Sequence, residues 1–187
     1  MPYRTRRSVK PAAMDPAREL PRELLWEILE DAHWAPTHGL TQPWRFHVFT
    51  GGAREKLGAA LQDFYDRLMP TAEQRADKRE KLMANPRRAP VSIAVAFRVE
   101  SSGKISETEE IAATACAVQN LMLSAHQRGL ATFWSTPPVA CSPDFVRWLG
   151  LDATCRAFGI IYLGWPLAAG TPAPPRHPVA DHVVFHV

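Results

Sequence analysis

The stretch that joins the first long helix of this chain to its first strand reads Ala35-Pro36-Thr37-His38-Gly39-Leu40-Thr41-Gln42-Pro43-Trp44-Arg45-Phe46. Upstream of it, apolar residues recur at the helical period until Ala35-Pro36 ends the pattern, so residues 21–35 are predicted to form an amphipathic helix. Downstream, apolar and polar side chains alternate over residues 44–50 and two glycines follow, which predicts a strand and a turn. A helix therefore ends in a polar loop that leads directly into an aromatic strand.

The remainder of the chain continues this mixture of helices and strands. By the same criteria, helices are predicted at residues 53–69, 107–128 and 143–149, and strands at residues 91–99, 131–136 and 156–163. The charged segment 71–88 is predicted to be a mostly solvated helix. Helix 107–128 is apolar nearly all round, so it should lie centrally and bury Cys116 as a small hydrophobic side chain. Since strands and helices mix without regular βαβ alternation, we expect one α+β domain over residues 1–187.

Composition limits the classes of protein to which this chain can belong. Its 187 residues are 46% hydrophobic and 22% charged with a net charge of +3, as in an ordinary globular domain that buries about 70% of its surface. The small basic excess is not interleaved with stacking aromatics, so no nucleic-acid partner is expected. The three cysteines form no CxxC pair, and no apolar run is long enough for a membrane span or a signal peptide. We therefore expect a cytoplasmic protein without a membrane partner.

The C-terminal tail, residues 164–187, differs in character from the rest of the chain. Its first part, residues 164–178, carries five prolines among small residues and cannot form a compact element. Residues 181–187 alternate between polar and apolar side chains as a strand does. An extended arm that ends in a strand is expected to pair outside the local core, and a second subunit is the simplest partner.

Several common catalytic motifs are absent from the sequence. It contains no G-x-G of a dinucleotide fold, no phosphate-binding Walker loop and no G-x-S-x-G nucleophile turn. His182 and His186 would lie about 13 Å apart in a strand, too far for one metal ion, so no metal site is expected. The segment 4–8 combines three arginines with a threonine and a serine, residue types that bind phosphate groups. On its own, however, this segment is more typical of a frayed basic terminus.

Four separated segments together resemble one known family. They are Arg6-Arg7-Ser8, the stretch from Ala35-Pro36 through Gln42-Pro43-Trp44 to Phe46, residues 115–136, and Tyr162-Leu163-Gly164-Trp165-Pro166. In this order they resemble the nitroreductase family of FMN-dependent oxidoreductases, most closely its small single-domain bacterial branch. The resemblance implies an α+β fold built on a central, mostly antiparallel sheet wrapped by helices. It also implies a homodimer with FMN at the interface and a C-terminal arm that extends to the partner subunit.

The resemblance further implies which residues meet the flavin. Those that would hold its phosphate and ribityl chain, mostly in the N-terminal segment 1–12, are Arg6, Arg7, Ser8 and Arg176. Those that would face the isoalloxazine ring are Trp134, Ser135, Thr136 and Pro137. His38 matches a position that reaches the flavin bound mainly by the other subunit. Trp34 and Leu40 stand where relatives carry flavin-directed polar groups, and they either shape an aromatic substrate pocket or pack the dimer core.

The function implied by the resemblance is an FMN-dependent transfer of hydride from NAD(P)H through flavin N5 to a nitroaromatic, quinone or similar conjugated acceptor. One site would serve both substrates in turn, which gives ping-pong kinetics and needs no catalytic acid or base from the protein. Two other interpretations remain open. The chain could be a specialised or flavin-destroying member of the family with one physiological substrate. It could also be a flavin-binding sensor or a redox-silent FMN protein.

Overall fold

A computed structural model describes residues 2–168, 170 and 172–186 of the chain. Its helices are α1 (Pro2–Thr5), α2 (Arg22–His33), α3 (Ala53–Leu68), α4 (Ala76–Arg88), α5 (Glu107–Gln127) and α6 (Pro143–Trp148). Its strands are β1 (Trp44–Phe49), β2 (Val91–Arg98), β3 (Ala131–Ser135) and β4 (Cys155–Gly164). Short 3-10 turns occur at Pro11–Ala13, His38–Leu40, Thr71–Glu73, Pro138–Cys141 and Val179–His182. Within these described ranges, no helix is both long enough and apolar enough to cross a membrane.

The four strands form one antiparallel sheet in the order β1-β2-β4-β3. This arrangement confirms the expected α+β class and the mostly antiparallel sheet. Strand β2 is buried along seven of its eight residues, as its run of β-branched side chains predicted. The expectation of a single domain over residues 1–187 stays a prediction.

Helices cover both faces of the sheet and give it two hydrophobic cores. On one face, α3 and α6 pack over β4 through fully buried side chains that include Leu57, Leu61, Phe145, Ile160 and Tyr162. On the other face, α2 and α5 pack through Ile28, Ile93, Leu121, Ile161 and Leu163. Each such side chain contributes about 1.5–3 kcal/mol of hydrophobic stabilisation. The polar helix α4 buries only Leu82 and Pro86, in agreement with the prediction of a mostly solvated helix.

Helix α5 is the longest element, and its ends are defined by local sequence. Ser106 and Glu109 form a reciprocal capping box at its start, and Gly129 follows its end with a φ of 78°. The prediction that α5 is enclosed nearly all round is wrong. Its Ala117, Val118 and Leu121 side is buried, but the Ile111 and Cys116 side is exposed, because α2 and the sheet cover only one side of the helix.

Strand β4 carries an irregularity that shapes the end of β3. The β2–β4 register shifts opposite Val95 and Ala96, and Gly159 adopts a φ of 105° there. A Cβ atom on Gly159 would lie 2.6 Å from the Ser135 carbonyl oxygen and 2.9 Å from Thr136 Cγ2. Only glycine therefore allows β3 to lie this close to β4 at its last residues.

The C-terminal tail does not form the strand predicted for residues 181–187. The described residues contain a 3-10 turn at Val179–His182 and no strand after it, and position 187 lies outside the described residues. No edge of the chain's own sheet pairs with the described residues of this segment, and its expected pairing with a second subunit stays a prediction. A bond from the Leu167 N–H to the Ala13 carbonyl attaches the base of the arm, and every described residue beyond it is exposed.

Candidate flavin site

The N-terminal segment lies along the outer edge of β3. The Val9 N–H donates to the Thr132 carbonyl at 2.9 Å, and Ser8 forms a parallel bridge with Thr132. Because the pairing is parallel, Arg6 and Arg7 lie toward the start of β3 and the end of α5. The residues predicted for the phosphate and for the ring therefore share one edge of the sheet.

Positively charged groups converge at the start of this edge. We call Arg6, Arg7, His126 and Arg176 the cationic cluster. The pKa of Arg6 is lowered by burial, by Arg7 and by Arg176, in that order of importance. The pKa of His126 is likewise lowered, first by burial and then by Arg6, Arg7 and the chain's amino terminus. Like charges thus face one another here, which is costly unless an anion joins them.

Buried nitrogen atoms of the cluster lack acceptors. Nη1 of Arg6 and Nε of Arg7 are buried without a hydrogen-bond partner in the part of the chain that the structure describes. The other Arg7 nitrogens donate to the carbonyl oxygens of Arg6, at 2.6 Å, and of Arg4, at 2.8 Å, so the guanidinium is held in place. Buried polar groups are normally hydrogen-bonded, and fixed guanidinium donors are suited to the oxygens of a phosphate. The residues present therefore fit an FMN phosphate.

The far end of the same edge is aromatic. The indole N–H of Trp134 donates to the Phe158 carbonyl at 3.1 Å, and the two rings lie 5.1 Å apart. Its only N–H is thereby used within the protein, so Trp134 offers a ligand its ring and no donor. Ser135 and Pro137 are half-buried and Thr136 is exposed. Strand rise places Thr136 about 13 Å from Thr132, so a planar ring here could belong to a ligand anchored at the cationic cluster.

His38 lies far from the cationic cluster within one chain. Nδ1 of His38 is 2.7 Å from Oε1 of Glu109 at the start of α5, whereas Nε2 of His126, near the end of α5, is 2.8 Å from Oγ1 of Thr5. The helical rise from position 109 to position 126 separates these points by about 26 Å. One protomer therefore does not bring His38 to its own cationic cluster. Trp34 follows α2 and is 79% exposed.

Leu40 shares this exposure, at 79%, whereas Trp44 is a buried scaffold residue whose indole N–H donates to Nδ1 of His33. A groove of about 950 Å³ runs between α2 and the free edge of β1. Its apolar lining includes Leu25, Trp26, Leu29, Phe46 and Val48. This groove is distinct from the edge of β3 that carries the cationic cluster.

Sequence reasoning missed the residues that support the predicted site. His126 joins the cationic cluster, and Phe158 and Gly159 shape the aromatic end. A glycine inside a strand is a signal of a bulge or a close backbone approach, and it would have drawn attention to Gly159. The sequence carries no comparable signal for His126, since its position depends on how the N-terminal segment packs.

Comparisons with known proteins agree with this geometry. The family model described as the Nitroreductase family matches residues 3–165. YfhC of Bacillus subtilis, provisionally named an NAD(P)H nitroreductase, is 27% identical over 164 residues, which cover 87% of this chain and 81% of that protein. The 5,6-dimethylbenzimidazole synthase of Rhodospirillum rubrum is 31% identical over 180 residues, covering 88% of this chain and 80% of that protein.

Solved structures show the same fold. A nitroreductase-like family protein from Bacillus cereus superimposes with a TM-score of 0.84 at 28% identity, covering 99% of this chain and 94% of that one. The FMN-dependent nitroreductase NfnB of Mycobacterium smegmatis, solved with NADPH, gives a TM-score of 0.76 at 19% identity, covering 100% and 96% of the two chains. At that identity the second likeness concerns the fold alone.

The fold is that of an α+β protein in which a cluster of cationic side chains and an aromatic strand end share one edge of the sheet. The match over residues 3–165 is specific to one such group, and the chain belongs to the nitroreductase family. Its class is accordingly that of an FMN-dependent NAD(P)H oxidoreductase.

Proposed function

We propose that this chain is a cytoplasmic enzyme that uses FMN to pass hydride from NAD(P)H to nitroaromatics, quinones or similar conjugated acceptors. The observation that carries the proposal is the pair of buried, unpartnered guanidinium nitrogens on Arg6 and Arg7 beside an aromatic strand end. The first feature binds a phosphate and the second packs a planar ring, and FMN combines both groups.

Each predicted site residue has a separate task in this proposal. Arg6, Arg7 and Arg176 supply charge-assisted donors to the phosphate, and the exposed Ser8 hydroxyl supplies a neutral one. The edge formed by residues 134–137 packs against the ring and excludes water from it. When bound, FMN supplies the hydride chemistry at its N5 atom in two half-reactions, one for each substrate.

A homodimer with two composite sites explains the position of His38. His38 lies about 26 Å along α5 from the cationic cluster of its own chain, and we propose that it meets the flavin held by a second chain. The exposed side of α5 that carries Ile111 and Cys116 offers a surface for that contact. We further propose that the tail 181–187 forms its strand on the partner, with the groove beside β1 as the receiving site.

The visible spectrum of the purified protein tests cofactor and activity together. We expect flavin absorption after addition of FMN, bleaching by NADPH without oxygen, and recovery when a quinone or nitroaromatic is added. A protein that takes up no FMN, or that binds FMN without bleaching, contradicts the proposal. The second outcome would instead identify a flavin-binding sensor or redox-silent protein.

Mixed dimers test the composite site. Arg6→Ala and His38→Ala chains are unfolded and refolded together, and FMN occupancy is measured below the Kd of either variant. If His38 acts across the dimer, half of the dimers are mixed and each of these regains one intact site, so about a quarter of wild-type occupancy returns. If both residues act within one chain, mixing restores nothing.

The 31% identity to 5,6-dimethylbenzimidazole synthase favours one second candidate, a member that consumes its flavin. Product analysis discriminates between the two. Aerobic incubation of the reduced protein should leave FMN intact under the first proposal, and should yield 5,6-dimethylbenzimidazole with loss of flavin colour under the second.

A further inference from the structure

The loop that carries His38, residues 37–42, is held in a strained conformation. Gly39, Leu40 and Gln42 have φ values of 59°, 54° and 47°, which only glycine adopts easily. A Cβ on Gly39 would also lie 2.9 Å from Cδ1 of Ile105. Such a strained backbone persists only where the surrounding contacts hold it in place. Strained residues of this kind are often found at ligand-binding and active sites.

The first of these contacts orients the His38 ring. Backbone and side-chain donors of Ser106, together with His38, lower the pKa of Glu109 to about 2. Glu109 is therefore an ionised acceptor at neutral pH, and the hydrogen in its 2.7 Å bond to His38 must reside on Nδ1. In the neutral ring, the Nε2 atom then carries the free lone pair on the opposite side.

The second contact is a directional chain of hydrogen bonds. The Gln42 N–H donates to Oγ1 of Thr37 at 3.2 Å, and the two hydroxyls of Thr37 and Thr41 lie 2.9 Å apart. The Thr41 hydroxyl donates to Oε2 of Glu110 at 2.8 Å, so the hydroxyl of Thr37 must donate to Thr41. This series of hydrogen bonds spans the strained residues of the loop and ends at Glu110 on α5.

Glu110 is an unusual residue at which to end a series of hydrogen bonds. Its side chain is 1% exposed, and its Oε1 atom is buried without a partner. A buried carboxyl with an unused oxygen is costly, and a purely structural role would be filled as well by an apolar residue. Its position where the loop meets α5 links this cost to the loop's conformation.

We infer that Glu109 and Glu110 are positioning residues for the flavin of the partner subunit: Glu110 holds loop 37–42, and Glu109 fixes the His38 tautomer with Nδ1–H inward and Nε2 outward. Neutral His38 then accepts a hydrogen bond from a flavin N–H and gives none. The inference rests on the proposed function for its ligand, but the tautomer itself is a property of the free chain.

The tautomer is measured first, by long-range proton–nitrogen NMR of the FMN-free protein at neutral pH. His38→Gln identifies the His38 signals among those of the seven histidines. We expect the Nδ1–H form in the wild type, a shift toward the Nε2–H form in Glu109→Ala, and no change in the control Glu107→Ala, which sits in the same helical turn. An Nε2–H wild type, or an unchanged tautomer in Glu109→Ala, overturns the inference.

FMN affinity is measured second. Thr41→Val and Glu109→Ala should each weaken FMN binding about tenfold, and Thr41→Ser should restore it because the hydroxyl returns. Equal affinities in Thr41→Val and Thr41→Ser overturn the role of Glu110. If the wild-type protein binds no FMN, the proposed function fails, and the tautomer measurement still decides the assignment of Glu109.

Discussion

The two ends of α5 differ in how their polar groups are satisfied. At its C-terminal end, Arg6 and Arg7 carry buried nitrogens that have no acceptor among the described residues. At its N-terminal end, the donors of His38 and Thr41 are bonded to side-chain oxygens of Glu109 and Glu110 in the helix itself. On our proposal the first region binds a ligand, whereas the second uses its hydrogen bonds to fix its own shape. Buried donors without an acceptor thus point to a binding site. A strained loop whose donors are bonded instead points to a side chain that is held in one orientation for a ligand.

The largest expected effect is a loss of stability caused by a change in the backbone of β4, next to the aromatic end of β3. Gly159→Ala places a Cβ against the Ser135 carbonyl at an unfavourable φ, and should lower the free energy of unfolding by about 3 kcal/mol. The control is Gly129→Ala, at a φ of 78° with no atom within 4 Å, where we expect about 1 kcal/mol. Urea unfolding measures both. Equal losses would mean that the close approach to β3 contributes nothing.

The next prediction separates binding from stability in the cationic cluster. Arg6→Ala should weaken FMN binding about 100-fold, because charge-assisted bonds to phosphate are lost. It should not reduce the stability of the FMN-free protein, since the guanidinium is desolvated and repelled by Arg7 and Arg176. Fluorescence titration and urea unfolding measure the two quantities, and exposed Arg4→Ala is the matched control. A large loss of stability would mark Arg6 as structural.

A smaller effect is expected at the aromatic end. Trp134→Phe keeps an aromatic ring but removes the donor to the Phe158 carbonyl, which should cost about 1 kcal/mol of unfolding free energy. FMN affinity should change little, because the ring and not the N–H faces the ligand. Trp148→Phe serves as the control for loss of indole area. A large drop in FMN affinity alone would mean that the Trp134 N–H reaches the flavin.

The smallest effect is a pH dependence at His126. Its pKa in the folded chain is below the ordinary value of 6.5, so the unfolded chain binds the proton more readily. Stability should be full above about pH 6.5 and should fall as the pH drops from there toward the folded-state pKa. Tm measured between about pH 5 and pH 7.5 checks this, with His126→Gln as the variant that removes the slope. Saturating inorganic phosphate should flatten the dependence of Tm on pH. If that dependence does not change, no anion binds near His126.

Local sequence signals predicted most of the fold. The strand at β1 and the helix at α3 were expected within a residue or two of their observed ends, because alternation, helical period and glycine or proline punctuation are all local. Cys116 was predicted wrongly, and the tail strand does not form within one chain, for a shared reason. Whether one side of a helix is covered, or a strand finds a partner, depends on other segments and, on our proposal, on a second chain.

For the site, the sequence yielded the residues but not their arrangement. Arg6, Arg7 and His38 were selected by resemblance, while His126, Glu109 and Glu110, which meet Arg6, His38 and Thr41 in turn, were not. These partners lie about 70 to 120 positions away along the chain. No pattern in a single sequence links a loop to a helix at that distance, so only the fold shows which carboxylate meets which ring.

The length of helix α5 has a further consequence for the proposed dimer. On the proposed dimer its length sets the distance between the place where a chain holds one flavin and the place where it touches the other. Inserting one turn would lengthen it by about 5.4 Å and move His38 out of reach of the partner site while leaving each end chemically intact. The length of this helix is then constrained by two sites at once, more tightly than the packing of either end requires.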